Sequence, residues 1–250
     1  MKKDSANINI SYAELDIVIV AMTGDTLLDF TGPADVFINA NKYLAATGSE
    51  KRYRVSIVSP TTDKIVMASS GIHINCSLSA MELKLPIDTL LIAGDNFSEI
   101  DAVKFDAFYK WLSPINTKNV RRIASVCVGA FVLAKTGLLD GRKATTHWEY
   151  GDLLKQKYPL VDVDTSAFYI NDGPVYTSGG VSTGIDLALA LVEEDCGREI
   201  AKKVAKRLVF PMKRVGYQSQ FGTLLSGYES DNIATKLLDW LNEHLHETLG

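Results

Sequence analysis

The 250 residues carry 26 Lys and Arg against 30 Asp and Glu, a formal net charge of −4, with 46% hydrophobic and 22% charged residues. That balance excludes a disordered or fibrous chain and lacks the basic excess of a nucleic-acid binder. No apolar run approaches the roughly 18–20 residues that cross a bilayer, and the N-terminal stretch MKKDSANINISYAELD has no signal-type apolar core. The three cysteines, Cys76, Cys127 and Cys196, are odd in number and widely spaced. They suit neither a disulfide framework nor a zinc site, so a reducing, cytoplasmic setting is expected, with no metal and no cofactor.

In chain order, short and nearly continuous apolar runs predict strands at Leu15–Ala21, Arg54–Val58, Thr89–Ala93 and Ile123–Val126. Strands of that kind are buried on both faces, as in parallel sheets. Between them lie helical patterns. The first covers Gly32–Leu44, with Thr31 as N-cap and Pro33 in the first turn. The next covers Phe97–Leu112 and stops at Ser113-Pro114. A short helix over Val128–Lys135 ends at Gly137.

Ile65–Cys76 reads as a hairpin with a Ser-Ser-Gly turn. Val161–Asp164, Ala167–Asn171 and Val175–Thr177 read as further strands, the last two parted by the turn Asn171-Asp172-Gly173-Pro174. Helices follow at Ser182–Glu194 and Arg198–Phe210, then a Gly/Ser/Tyr-rich loop, then a helix over about Asp231–Glu247. The alternation predicts an α/β sandwich on a mostly parallel sheet. Its main domain covers residues 1–210, with a loop-and-helix appendage over 211–250. REIAKKVAKR, at Arg198–Arg207, has the pattern of a solvated amphipathic helix rather than of a DNA contact.

In an open parallel sheet, ligands bind beyond the carboxyl ends of the strands. Four segments follow those ends: MTGDTLLDFTGP with Asp29, Gly94-Asp95, Cys127-Val128-Gly129, and SGGVSTGID with Gly179 and Gly180. Cys127 stands at a strand-to-helix elbow, where a side chain is forced into a tight and often strained turn. The helix beginning at Val128 would favour the thiolate. The Val128 N–H, with one from Gly94-Asp95, would suit an oxyanion. Against this, cysteine is among the most buried residue types, and local sequence alone leaves Cys127 as reactive group or packing residue. Asp29 suits either an acid–base partner of the sulfur or a helix-start contact, and local sequence favours the second. His147, in ATTHW, ends a short strand within reach of this edge, although a lone histidine beside Trp148 is more often structural. His73 reads as a surface residue, and Cys76 and Cys196 read as packing residues.

The segment Arg121–Tyr150, RRIASVCVGAFVLAKTGLLDGRKATTHWEY, resembles the core of the ThiJ/PfpI superfamily, which is related to class I glutamine amidotransferases. LLDFTGPADVF, DTLLIAGD, TSGGVSTGIDLALALVEEDCG and RLVFPMKRVGYQSQF are similar to the subgroup that holds isonitrile hydratase and the AraC-type regulators with an amidotransferase-like N-terminal domain. The last two motifs point to the regulators. The resemblance implies a flavodoxin-like, amidotransferase-like three-layer sandwich with C-terminal helices. It also implies a homodimer, a small-molecule ligand, Cys127 at the nucleophile position and Asp29 as the acidic residue near it. In the regulators a helix-turn-helix pair follows this domain. IATKLLDWLNEHLHETLG resembles the segment leading into that pair, so residues 211–250 are expected to be a linker, and this chain alone is not expected to bind an operator.

Three departures bear on chemistry. Val128 stands where the family often has Thr, and its proteases His. SGGVSTG holds no His. Gly94-Asp95 replaces a glycine pair, which sets a negative charge against any developing anion. A cysteine without a paired base is a weak catalyst but can bind or sense. Three functions follow: a ligand-sensing domain of an AraC-type regulator, a hydratase of the isonitrile hydratase kind using Cys127 and Asp29, and a thiol-based redox sensor.

Overall fold

The structure is a computed structural model that describes residues 14–94 and 103–214, together with Gln218, Trp240 and His244. Its centre is a six-stranded sheet. The strands are β1 (Glu14–Val20), β2 (Arg52–Val58), β5 (Ile87–Gly94), β6 (Val120–Cys127), β9 (Tyr169–Asp172) and β10 (Val175–Ser178), in the order β2-β1-β5-β6-β10-β9. Every pairing is parallel except that of the edge strand β9 with β10. The central strands are the continuous apolar runs read from the sequence. Ile17, Ile19, Leu90, Leu91, Ile92 and Ile123 are fully buried, each contributing about 1.5–3 kcal/mol by leaving water.

Helices cover the sheet. They are α1 (Leu27–Ala46), α2 (Asp106–Leu112), α3 (Gly129–Lys135), α4 (Gly151–Lys157), α5 (Thr183–Cys196) and α6 (Arg198–Arg207). α1, α5 and α6 pack on one another, and α3 lies against β5 and β6. The expected three-layer α/β sandwich is present. α6 buries Ile200, Ala201, Val204 and Ala205 and turns its Lys and Arg outward, as its pattern predicts. The hairpin β3 (Ile65–Met67) and β4 (His73–Asn75) turns at Gly71 (φ 79°), with His73 exposed. The second hairpin, β9–β10, turns at Gly173 (φ 65°).

Several boundaries differ from expectation. α1 begins at Leu27, so Thr31 is not its cap: its Oγ1 donates to Leu27 O (2.8 Å) inside the helix. Pro33 falls in the second turn. The burial of Phe30 upstream outweighs the backbone bond that the proline forgoes. α2 covers only Asp106–Leu112 after a 3-10 turn at Val103–Phe105; residues 95–102 lie outside the described residues. Val161–Asp164 shrinks to β8 (Asp162–Val163), which pairs outside the main sheet with β7 (Lys143–Ala144). α6 stops at Arg207. Of the expected 231–247 helix only Trp240 and His244 are described; their rings stack at 4.4 Å.

Met212 rests on the core, and Arg214 and Gln218 reach the carboxyl edge of the sheet. No described helix is long and apolar enough to cross a membrane.

Candidate functional site

Parallel strands end on one edge, where β1, β5, β6 and β10 bring their carboxyl ends together. Asp25 shapes the first loop. Its Oδ2 accepts the Met22 N–H (2.7 Å), and its carbonyl accepts the Ser69 N–H (2.9 Å). At the centre, Gly94 lies level with Cys127 in the β5–β6 register. Gly129 must be glycine: a Cβ there would fall 2.2 Å from Ile92 O. Gly94 meets the same constraint, since its Cβ would lie 2.8 Å from Gly129 N. Two bare backbones in contact make the elbow possible.

Cys127 takes the left-handed conformation, φ 58°, and is fully buried. Among the described residues four non-glycines have positive φ. Two of them, Cys127 and the β-branched Val181 (φ 44°), belong to this edge. Such strain costs about 1–3 kcal/mol per residue and collects at functional sites.

The elbow's N–H groups hold strands together. Val128 N–H donates to Gly94 O (2.7 Å), and Cys127 N–H donates to Gly179 O (2.9 Å). The oxyanion role expected of Val128 is therefore not what its N–H does: it is already committed to a carbonyl. The Cys127 carbonyl accepts Thr146 Oγ1–H (2.8 Å), which ties the ATTHW segment to the elbow. One residue on, His147 caps a 3-10 turn at Trp148–Tyr150, with Nδ1 accepting the Glu149 N–H (3.4 Å). It lies three residues beyond β7 rather than at its end. His147 also lies against Gly180, where a Cβ would come within 2.1 Å of its Cδ2. Asp29 is fully buried in the first turn of α1, where a helix favours a carboxylate. Asp95 lies outside the described residues.

A cleft of about 210 Å³ opens at this edge, lined by His147, Trp148, Gly180, Val181, Ser182, Thr183, Arg214 and Gln218. Gly179 borders it from behind, between Gln218 and Cys127. Asp29 and Asp95 aside, the sequence-derived residues thus form two groups. Cys127, Val128, Gly94 and Gly179 form the buried elbow. His147 and Gly180 line the cleft.

Arg214, Gln218, Ser182 and Thr146 were not singled out from sequence. Arg214 forks onto Asp186, through Nε to Oδ1 at 3.1 Å and through Nη2 to Oδ2, and its Nη1 donates to Ser182 Oγ (3.1 Å). Its guanidinium lies over the rings of Phe168 (4.7 Å) and Phe210 (5.2 Å). Burial pushes the Asp186 carboxyl above its ordinary range, and Arg214 pulls it the other way without cancelling the effect. Their early signals were the motifs that hold them: RLVFPMKRVGYQSQF for Arg214 and Gln218, SGGVSTGID for Ser182 and ATTHW for Thr146. Among the described residues no group of His, Cys, Asp and Glu could hold a metal.

Residues 16–194 match the model of the DJ-1/PfpI family. The chain belongs to that family. The HTH-type transcriptional regulator CdhR of Pseudomonas aeruginosa is 31% identical over 78% of this chain and 54% of its own length. The chain thus spans about half of that regulator. Isonitrile hydratase of Pseudomonas putida is 41% identical over 36% of this chain and 38% of its own. The crystal structure of an AraC family transcriptional regulator from Pseudomonas putida superposes with a TM-score of 0.61 at 20% identity, covering 78% of this chain and 99% of that one. At that identity the likeness speaks for the fold alone.

Proposed function

We propose that this DJ-1/PfpI chain carries the ligand-sensing domain of an AraC-type transcription regulator. It would bind a small molecule in the cleft and work as a homodimer in the cytoplasm. The observation that carries the reading is the reach of Arg214 and Gln218, from beyond α6, into the cleft wall. A ligand there touches residues that lead toward the part of the chain where regulators carry their DNA-binding units. The similarity to CdhR over 78% of the chain supports it. So does the full burial of Cys127 behind Gly179, since a nucleophile must meet its substrate. Ile65, Met67 and Ile72 of the β3–β4 hairpin, 44–52% exposed, offer apolar surface for a second copy.

Thermal-shift screening of amines, amides and amino-acid derivatives tests the reading. The expected result is stabilisation by a subset of them, lost in Gly180→Leu, which fills the cleft. Stabilisation that survives this substitution contradicts the site. A second reading, a hydratase, rests on the strained Cys127 (φ 58°) and the local identity to isonitrile hydratase. It requires turnover that Cys127→Ala abolishes.

A further inference from the structure

Gln218 is 2% exposed, and among the described residues its carboxamide is held through nitrogen. Nε2 donates toward Ala167 O (2.5 Å), Thr145 Oγ1 (3.2 Å) and Thr146 O (3.3 Å). Three oxygens around one nitrogen settle which end of the amide points inward. A carboxamide offers two protons to these three acceptors, and an ammonium would offer three.

Other residues position these oxygens, and Gln218 adds only its backbone N–H, which donates to Ser166 O (2.8 Å). Thr145 N–H donates to Thr177 Oγ1 on β10 (2.8 Å), and Thr146 Oγ1 is bound to the elbow carbonyl. The Ala167 loop is pinned on both sides. Asp164 Oδ1 accepts the Ser166 N–H (3.0 Å) and Oγ–H (2.6 Å), and Gly179 N–H donates to Phe168 O (2.9 Å). Those hydrogen bonds, the Ser166 hydroxyl's first, hold the Asp164 carboxyl down at about 2. The space itself is reserved by Gly179, whose Cβ would fall 1.9 Å from Gln218 Oε1. The sheet and its loops therefore build an acceptor cage beside the open cleft. Gln218 enters it from a different part of the chain.

We propose that this cage is a recognition site for a primary amide or ammonium group of a small ligand, and that the Gln218 carboxamide is its internal occupant, displaced when the ligand binds. The proposal rests on the ligand-sensing reading and names the chemistry that such a ligand must carry. A carboxylate or phosphate would set oxygen against oxygen and is rejected. Ligand and Gln218 exclude one another, so occupancy of the cage is coupled to release of the chain at Gln218. The internal occupant also weakens apparent affinity, because only the displaced fraction binds.

Gln218→Ala empties the cage and leaves its walls intact. Titrations of wild type and variant with acetamide, methylammonium and acetate, followed by NMR, test the proposal. Acetamide or methylammonium should bind the variant about tenfold or more tightly than wild type, and acetate should bind neither. In wild type, saturation with the same probe should speed tryptic cleavage at Lys213 and Arg214. Equal affinity in the two proteins, binding of acetate, or binding with no change in cleavage overturns the proposal. Should Gln218→Ala fail to fold, Gln218→Asn, one methylene shorter, is judged by the same criteria. A cleft ligand that binds wild type and variant alike removes the displaced-occupant idea and leaves ligand sensing standing. Absence of any ligand across the screen removes ligand sensing itself.

Discussion

At the scale of single residues, the elbow is decided by what two glycines lack. A Cβ at Gly129 would meet Ile92 O, a backbone atom inside the sheet that cannot step aside. One at Gly180 would meet the His147 ring, whose side chain is 21% exposed and can swing outward. Gly129→Ala should therefore destabilise the protein by about 3 kcal/mol or more, and Gly180→Ala by about 1 kcal/mol. Urea denaturation midpoints measure both, and similar losses would argue against the backbone contact. The elbow was legible from the order strand, cysteine, small residues, helix, because tight turns demand small residues. The direction of the Val128 N–H was not legible, since a hydrogen-bond partner on another strand leaves no mark in local sequence.

At the scale of elements, the main tie between α5 and the stretch after α6 is Arg214 on Asp186. Both side chains are largely buried, 17% and 8% exposed. Arg214→Met would remove the charge and keep the apolar contact with Phe168 and Phe210, leaving a buried carboxylate. The expected loss at neutral pH is about 3 kcal/mol. Its pH dependence has a definite sign. Burial already holds the folded-state pKa of Asp186 above its ordinary value, and losing Arg214 raises it further. A raised carboxyl pKa contributes stability below the ordinary carboxylate range and loses it as pH rises through the folded value. The deficit of Arg214→Met should therefore widen from acidic to neutral pH in guanidinium melts, and a constant deficit would contradict the pairing. Neither partner stood out in sequence. Arg214 stands between the helix α6 and the Gly/Ser/Tyr-rich loop, in a short stretch without periodicity, and its role comes from a contact distant along the chain. α1 was misjudged for a related reason: Pro33 signals a helix start locally, and the burial of Phe30 extends the helix upstream of it.

At the scale of the whole molecule, the parallel sheet was legible because strands buried on both faces must be apolar throughout. That topology alone directs attention to the carboxyl edge. There the cleft is walled by His147, Gly180 and Arg214, while Cys127 is enclosed behind Gly179. On the proposed reading, this edge binds a small molecule without chemistry at the thiol. Isothermal titration of a ligand from the thermal-shift screen into wild type and Cys127→Ala, with the ligand recovered and analysed afterwards, tests it most directly. The expected result is dissociation constants within about twofold and unchanged ligand, because the cysteine does not line the cleft. Conversion of the compound by wild type, abolished in Cys127→Ala, would contradict it and establish an enzyme.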